Sequence, residues 1–179
     1  MTTNRCDYVR KMAAYNTWMN DKVYAAAANL PAHEIVADRK AFFGSILATL
    51  NHLAVADTIW LQRFAAHPAH YAMLSAFGEL PKRTNLAEQL YGDLADLREH
   101  RRFLDGVIER WADAVSEGDL DQVLAYANTK GVASRRPFFY VLMHFFNHQT
   151  HHRGQVTTLL TQAGVDVGTT DLLMLIEEV

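Results

Sequence analysis

Four long stretches of this chain repeat their apolar residues at a helical period, and that pattern sets the class of fold. At about 100° per residue, Tyr8, Met12, Tyr15, Met19, Val23 and Ala26 form one stripe that runs out at Asn29-Leu30-Pro31, where proline disfavours further helix. This predicts a first helix over roughly 5–29. Phe42, Ile46, Leu50, Leu53, Trp60 and Phe64 mark a second, about 39–66, ending before His67-Pro68-Ala69-His70. Leu86, Leu90, Leu94, Leu97, Leu104, Ile108, Trp111 and Val115 mark a third, about 85–115, with Thr84 as its N-cap ahead of Glu88. The fourth starts at Pro137, which suits a first helical turn, and carries its stripe to Ala163 before Gly164 ends it. Four amphipathic helices with modest connections bury their stripes best against one another, so an all-α four-helix bundle is predicted.

Two lesser elements complete the expectation. Within 123–133, Asn128 to Gly131 reads as a turn between two short extended pieces, a small hairpin or irregular excursion between the third and fourth helices. Thr169 and Thr170 introduce Asp171-Leu-Leu-Met-Leu-Ile, read as a short C-terminal helix. There is no internal repeat or low-complexity tract. A chain of 179 residues is expected to form a single domain over 1–179.

Composition narrows the partners. Half of the residues are hydrophobic and 21% are charged, too much to bury for a disordered chain. Seventeen Lys plus Arg against 20 Asp plus Glu give a net charge of −3, so no nucleic acid partner is expected. Apolar runs fall short of the ~20 residues of a membrane span, with Asp57 closing the nearest, so no membrane partner is expected. Cys6 is the single cysteine, which excludes a disulfide-stapled framework. A lone thiol and an N-terminus without an apolar run point to a cytoplasmic location.

The histidines carry the functional signal. Of nine, four crowd into the fourth helix: His144, His148, His151 and His152. With Val141 as origin, His148 and His152 fall inside the buried stripe with Val141, Phe145, Val156, Leu159 and Ala163, whereas His144 and His151 lie to one side. Four residues apart on one face, His148 and His152 can converge on a single ion, the spacing that helical metal sites use. Alone, such a pair is more often a set of hydrogen-bonded core histidines. A third ligand is needed, and His52 in the second helix is the best candidate, because Ala48, Thr49 and Ala56 around it are small. It lies at the edge of its stripe, so helical angle permits an inward direction without requiring it. His33, His67 and His70 fall in or near loops, where exposed, ordinary histidines are expected.

Asn147-His148-Gln149-Thr150-His151-His152-Arg153-Gly154-Gln155-Val156, together with Thr49-Leu50-Asn51-His52, Ala56-Asp57-Thr58-Ile59-Trp60-Leu61 and Tyr15-Asn16-Thr17-Trp18-Met19-Asn20, resembles the DinB family of bacterial proteins. The resemblance covers nearly the whole chain. It implies a four-helix bundle, often a homodimer, in which three histidines bind a divalent ion such as zinc or nickel; on matching positions these are His52, His148 and His152. It also implies kinship with metal-dependent transferases that activate low-molecular-weight thiols.

Three neutral imidazoles leave a coordination position open, the arrangement of a catalytic rather than a closed structural site, and that position is expected to face a cavity. An ion there can lower the pKa of a bound water or thiol. A thiol S-transferase is therefore the leading expectation, with a noncatalytic metal-stabilised bundle or a small-molecule binding module as the alternative. A metal-dependent hydrolase is weaker, because Gln149 stands where the peptidase motif places a general-base Glu. Around the ligands, Asp57, Arg153 and His151 are candidate supporting residues, with His144 and His151 as candidate bases or merely surface histidines. Asp57 and Arg101 interrupt apolar stripes: either Asp57 orients a ligand or an arginine near the ion, or the two form a structural pair. Arg63 and Arg153 are candidates for an anionic substrate, or simply solvated charges. Trp18, Trp60 and Trp111 read as core or interface anchors.

Overall fold

The chain is described by a computed structural model over residues 4–178. Helix α1 (Arg5–Ala27) opens on a capping box, with the Asn4 side chain accepting from the Asp7 amide and the Asp7 side chain accepting from that of Asn4. A short α2 (Ala32–Val36) follows, then α3 (Ile46–Ala65), a short α4 (Ser75–Glu79), α5 (Leu94–Ala114), the single turn α6 (Glu117–Leu120), strands β1 (Val123–Ala127) and β2 (Ala133–Pro137), and α7 (Phe138–Gln162). Helix α1 packs on α5 and α7, and α3 packs on the same two, which closes the ring of four predicted from the stripes. Helices α3 and α7 run antiparallel: His52 meets His148 and His152, Trp60 meets His144, and Phe64 meets Phe138.

Aromatic rings fill the core at one end. Phe64 stacks on Trp111 with centroids 4.8 Å apart and meets Phe145 edge-on at 5.4 Å. Each such ring withdraws enough apolar area from water to contribute roughly 2–3 kcal/mol. Of the tryptophans, Trp111 and Trp60 are buried, and Trp18 is half-buried beside Tyr15.

The expected excursion is a two-stranded antiparallel hairpin pairing Val123 with Pro137 and Ala127 with Ala133. Its turn lies where the sequence places it, with the Asn128 side chain accepting from the amides of Lys130 and Val132 and Gly131 at φ +79°. Leu124 and Tyr126 turn toward the bundle and the intervening Ala125 is exposed. The C-terminal element is a single 3-10 turn, Leu172–Leu175.

Two helix starts differ from the sequence reading. The second bundle helix begins at Ile46, not near 39: Ser45 caps it, its Oγ accepting from the Ala48 amide, and Gly44 at φ +83° breaks the helix ahead of the cap. Phe42, which continues the stripe in sequence, is 88% exposed. The third begins at Leu94, capped by Asp93 rather than Thr84. Residues 80–93 run irregularly beside α3, because the Asn51 side chain exchanges two hydrogen bonds with the Tyr91 backbone and draws it out of helix. Among the described residues, no helix is long and apolar enough to cross a membrane.

Candidate metal centre

Three histidine rings meet between α3 and α7. The Nε2 atom of His52 lies 3.4 Å from that of His148 and 3.2 Å from that of His152, and the latter two are 3.1 Å apart. Nitrogens bound at ~2.0–2.1 Å to one ion, at angles between right and tetrahedral, stand about 3.0–3.4 Å from one another. The triangle has the size of a ligand set, and the three residues could hold a metal ion.

Each ring is aimed by its surroundings. His52 Nδ1 lies 2.8 Å from the Leu86 carbonyl, which can only accept, so Nδ1 carries the proton and Nε2 turns a lone pair inward. His152 Nδ1 is 2.8 Å from Gln155 Oε1, and the Gln155 amide nitrogen is 3.2 Å from His151 Nε2. His152 therefore also presents a bare Nε2. Among the described residues, the Nδ1 of His148 has no hydrogen-bond partner. Phe43 stacks over His52 with centroids 4.0 Å apart.

Electrostatics keep the rings neutral. Burial pushes His52 down to about 4 against the pull of the Leu86 carbonyl, and pushes His148 down to about 3 with help from His152. His152 is lowered by burial too. The lone pairs of His52 and His152 face each other with no proton between them and repel, and a cation is a partner that satisfies all three rings.

His52 is 3% exposed and His152 9%, while His148 is less completely covered, so solvent meets the triangle at His148. Two cavities lie beside the triangle: one of about 470 Å³ reaches His144, whose ring is 6.0 Å from that of His148, and one of about 520 Å³ reaches His151 and Gln155; another, of about 580 Å³, lies away from it between α1 and α5.

The supporting residues divide. Asp57 does not hydrogen-bond to the histidines; its Oδ2 accepts from Arg101 at 2.6 Å and from Gln149 at 3.0 Å. The structural pair is what forms. Gln149, one residue past His148, is rotated about 100° into the core and spent on that pair. Arg153 is neither solvated nor open to a substrate: it is 2% exposed, donates to Asn16 Oδ1 and lies 5.5 Å from the Tyr15 ring. One residue past His152, it is turned toward α1. His151 is exposed, its ring meeting that of His152 edge-on with centroids 4.9 Å apart and its Nε2 lying 3.2 Å from the Gln155 amide nitrogen. Arg63 is half-buried against two aromatic rings. His33 and His70 are exposed, but His67, expected on the surface, is fully buried, its ring 4.2 Å from that of Phe138 and its Nδ1 accepting from the Ala69 amide.

Three contributors to the site escape the sequence reading. The Leu86 carbonyl is backbone and leaves no side-chain signal. Phe43 is hidden by the run of the false helix start. Gln155 was findable, since it stands three residues after His152 on a helix and a ligand histidine needs an acceptor for its second nitrogen.

Over 168 residues, 92% of this chain and 91% of the relative, the sequence is 26% identical to Protein DinB of Bacillus subtilis strain 168. No solved structure matches the chain. The DinB family model matches residues 1–178, which takes in all four bundle helices and all three clustered histidines, and the chain belongs to the DinB family.

Proposed function

We propose that His52, His148 and His152 are the ligands of one divalent ion, zinc or nickel, in a metal-dependent enzyme of the thiol S-transferase type. The observation that carries this reading is the triangle of Nε2 atoms with edges of 3.1, 3.2 and 3.4 Å, two of them stripped of protons by acceptors behind the rings. The bound ion would supply Lewis acidity toward a thiol or water in the position the three imidazoles leave free. The chain's own residues fix the rest. Leu86 and Gln155 hold two rings in their tautomers, Phe43 shields His52 from water, and His148 faces the solvent side from which a low-molecular-weight thiol or small anionic substrate enters. Gln149 cannot serve as a general base, which disfavours a hydrolase. The family match over residues 1–178 supports one DinB-like domain over 1–179; a homodimer, which the resemblance implies, and a cytoplasmic setting, which suits the lone Cys6 thiol, complete the proposal.

A second reading has its own support. The ion would tie α3 to α7, and Phe43 packs directly on a ligand ring, so a noncatalytic, metal-stapled bundle or binding module fits the same residues. Cobalt-substituted protein titrated with a small thiol separates the two. A shifted cobalt spectrum is expected for an open, thiol-accepting ion, and an unchanged spectrum overturns the transferase reading. Elemental analysis of His148→Ala and His152→Ala should show metal nearly absent while His144→Ala retains it; equal content in all three overturns the ligand assignment.

A further inference from the structure

Beside the histidines, α3 and the hairpin enclose an unpaired cation. The Arg63 guanidinium lies 4.3 Å from the centre of the Trp60 ring and 4.9 Å from that of Tyr126, and the two rings are themselves 5.5 Å apart. Among the described residues, no carboxylate comes within 4.0 Å of Arg63, Lys82 or Arg136. Arg39, Arg83 and Arg101 do have such partners, in Glu34, Glu88 and Asp57, whereas among the described residues Arg98 and Arg153 share with Arg63 the lack of one. Burial lowers the Arg63 pKa, the direction expected when a cation loses water without gaining an anion.

Two cavities meet at this clamp. One, about 310 Å³, is bounded by Arg63, Lys82, Arg83 and Tyr126; the other, about 470 Å³, by Trp60, Tyr126, Arg136 and His144. No acidic side chain lines either one. Both volumes suit a small molecule. The second cavity ends at His144, whose ring is 5.3 Å from Trp60 and 6.0 Å from His148. Trp60 follows His52 by eight residues, about 12 Å along the helix axis, and side chains lean back toward the N-terminus, so clamp and triangle face one stretch of surface.

We infer that Arg63, packed against Trp60 and Tyr126, binds a carboxylate of a small organic anion whose far end extends past His144 to the histidine triangle. The two rings, inclined 62° to each other, confine the guanidinium and leave N–H groups for an oxyanion, and Arg63, Lys82 and Arg136, none of them paired with an acid among the described residues, give the cleft its sign. That the far end is a thiol rests on the function proposed above; the carboxylate subsite does not.

Calorimetric titration of the full-length protein with reduced glutathione and with its diethyl ester tests this, since the ester keeps the thiol and removes both carboxylates. Wild-type protein is expected to bind the acid at least tenfold more tightly than the ester. Arg63→Gln should lose at least tenfold for the acid and no more than twofold for the ester, with Arg63→Lys between, all three proteins having the same metal content and melting temperature. Acid and ester bound equally, an unaltered acid affinity in Arg63→Gln, or no measurable binding at millimolar concentration overturns the inference. Repeating the titration on chelator-stripped protein separates the two readings. An Arg63-dependent acid preference that persists there, alongside a cobalt spectrum indifferent to thiol, removes the transferase and leaves the subsite standing; a thiol-responsive cobalt spectrum with no Arg63 dependence does the reverse.

Discussion

Two polar clusters share the interior of this bundle, and they are solved in opposite ways. One is a network of charges: Arg101 holds Asp57 at 2.6 Å and Asp105 at 3.0 Å, Asn16 and Asn20 donate to Asp105 at 2.8 and 2.9 Å, and Arg153 donates to Asn16. Two carboxylates and two guanidiniums balance within it. The other is the histidine triangle, where three neutral bases point at one another and no acid or hydroxyl donor closes the set. A buried polar group must meet its complement or raise the free energy of the fold. The network brings opposite charges together and so reads as structure, although Asp57 Oδ1, Gln149 Oε1 and the Nε atoms of Arg101 and Arg153 find no hydrogen-bond partner in it. The triangle lacks a complement, which is why it reads as a site.

The largest way to break this contrast is to take the cation out of the network. Arg101→Met strands Asp57 and Asp105 in the core, and an uncompensated buried charge of this kind costs about 3–5 kcal/mol. Urea unfolding should show a loss of that size. Metal content per folded molecule should stay at the wild-type level, because Arg101 does not touch the histidines. A folded Arg101→Met protein that no longer takes up metal would merge the two clusters into one machine.

Both clusters were partly legible before any coordinates, for different reasons. Helical period places His148, His152, Asp57 and Arg101 in buried stripes, and burial at 100° per residue is a local property that sequence carries well. Which of those groups meet across helices is not local. Asp57 and Arg101 stand on stripes whose mutual register depends on the whole bundle, so the pair is one allowed outcome among several. The helix starts failed at Phe42 and Leu86, where the apolar period continues into backbone that Gly44, Ser45, Asn51 and Asp93 turn away from helix. Short polar side chains bonding to nearby amides override the stripe, and the backbone they release supplies Phe43 and the Leu86 carbonyl to His52. His67 failed for a related reason: a loop position in sequence is carried into the core by stacking on Phe138.

Acid sharpens the comparison, because the clusters respond with opposite sign. In metal-free protein His52 sits at about 4 and His148 at about 3, against ~6.5 in an unfolded chain. Between pH 6.5 and 4 the unfolded chain therefore binds more protons, and stability falls as pH falls, by about 1.4 kcal/mol per pH unit for each proton. Asp105 runs the other way. Burial raises it to about 6, above its unfolded ~3.9, so its contribution grows as pH falls through that window. Replacing His148 with Ala should flatten the acid slope of the metal-free protein by about one proton, about 2 kcal/mol between pH 6.5 and 5. Urea midpoints at pH 6.5, 5.8 and 5 give the slope, and an unchanged slope in His148→Ala would mean that the triangle is hydrated rather than dry.

The smallest effect probes what makes the triangle a site at all, the acceptors behind the rings. Gln155→Leu keeps the shape of the side chain and removes the Oε1 that takes the Nδ1 proton of His152. Loss of such an acceptor typically lowers metal affinity 10- to 100-fold, about 1.4–2.8 kcal/mol, by freeing the ring to turn and to change tautomer. Chelator competition should find a decrease in that range, with a smaller one in His151→Ala, whose exposed ring packs edge-on against His152 at 4.9 Å but does not take its Nδ1 proton. Thermal stability without metal should move little, because Gln155 is half-exposed and its helix packs through other residues. If Gln155→Leu binds metal as well as wild type does, the lone pairs are not set by their surroundings. The triangle would then differ from the charged network only in lacking charge.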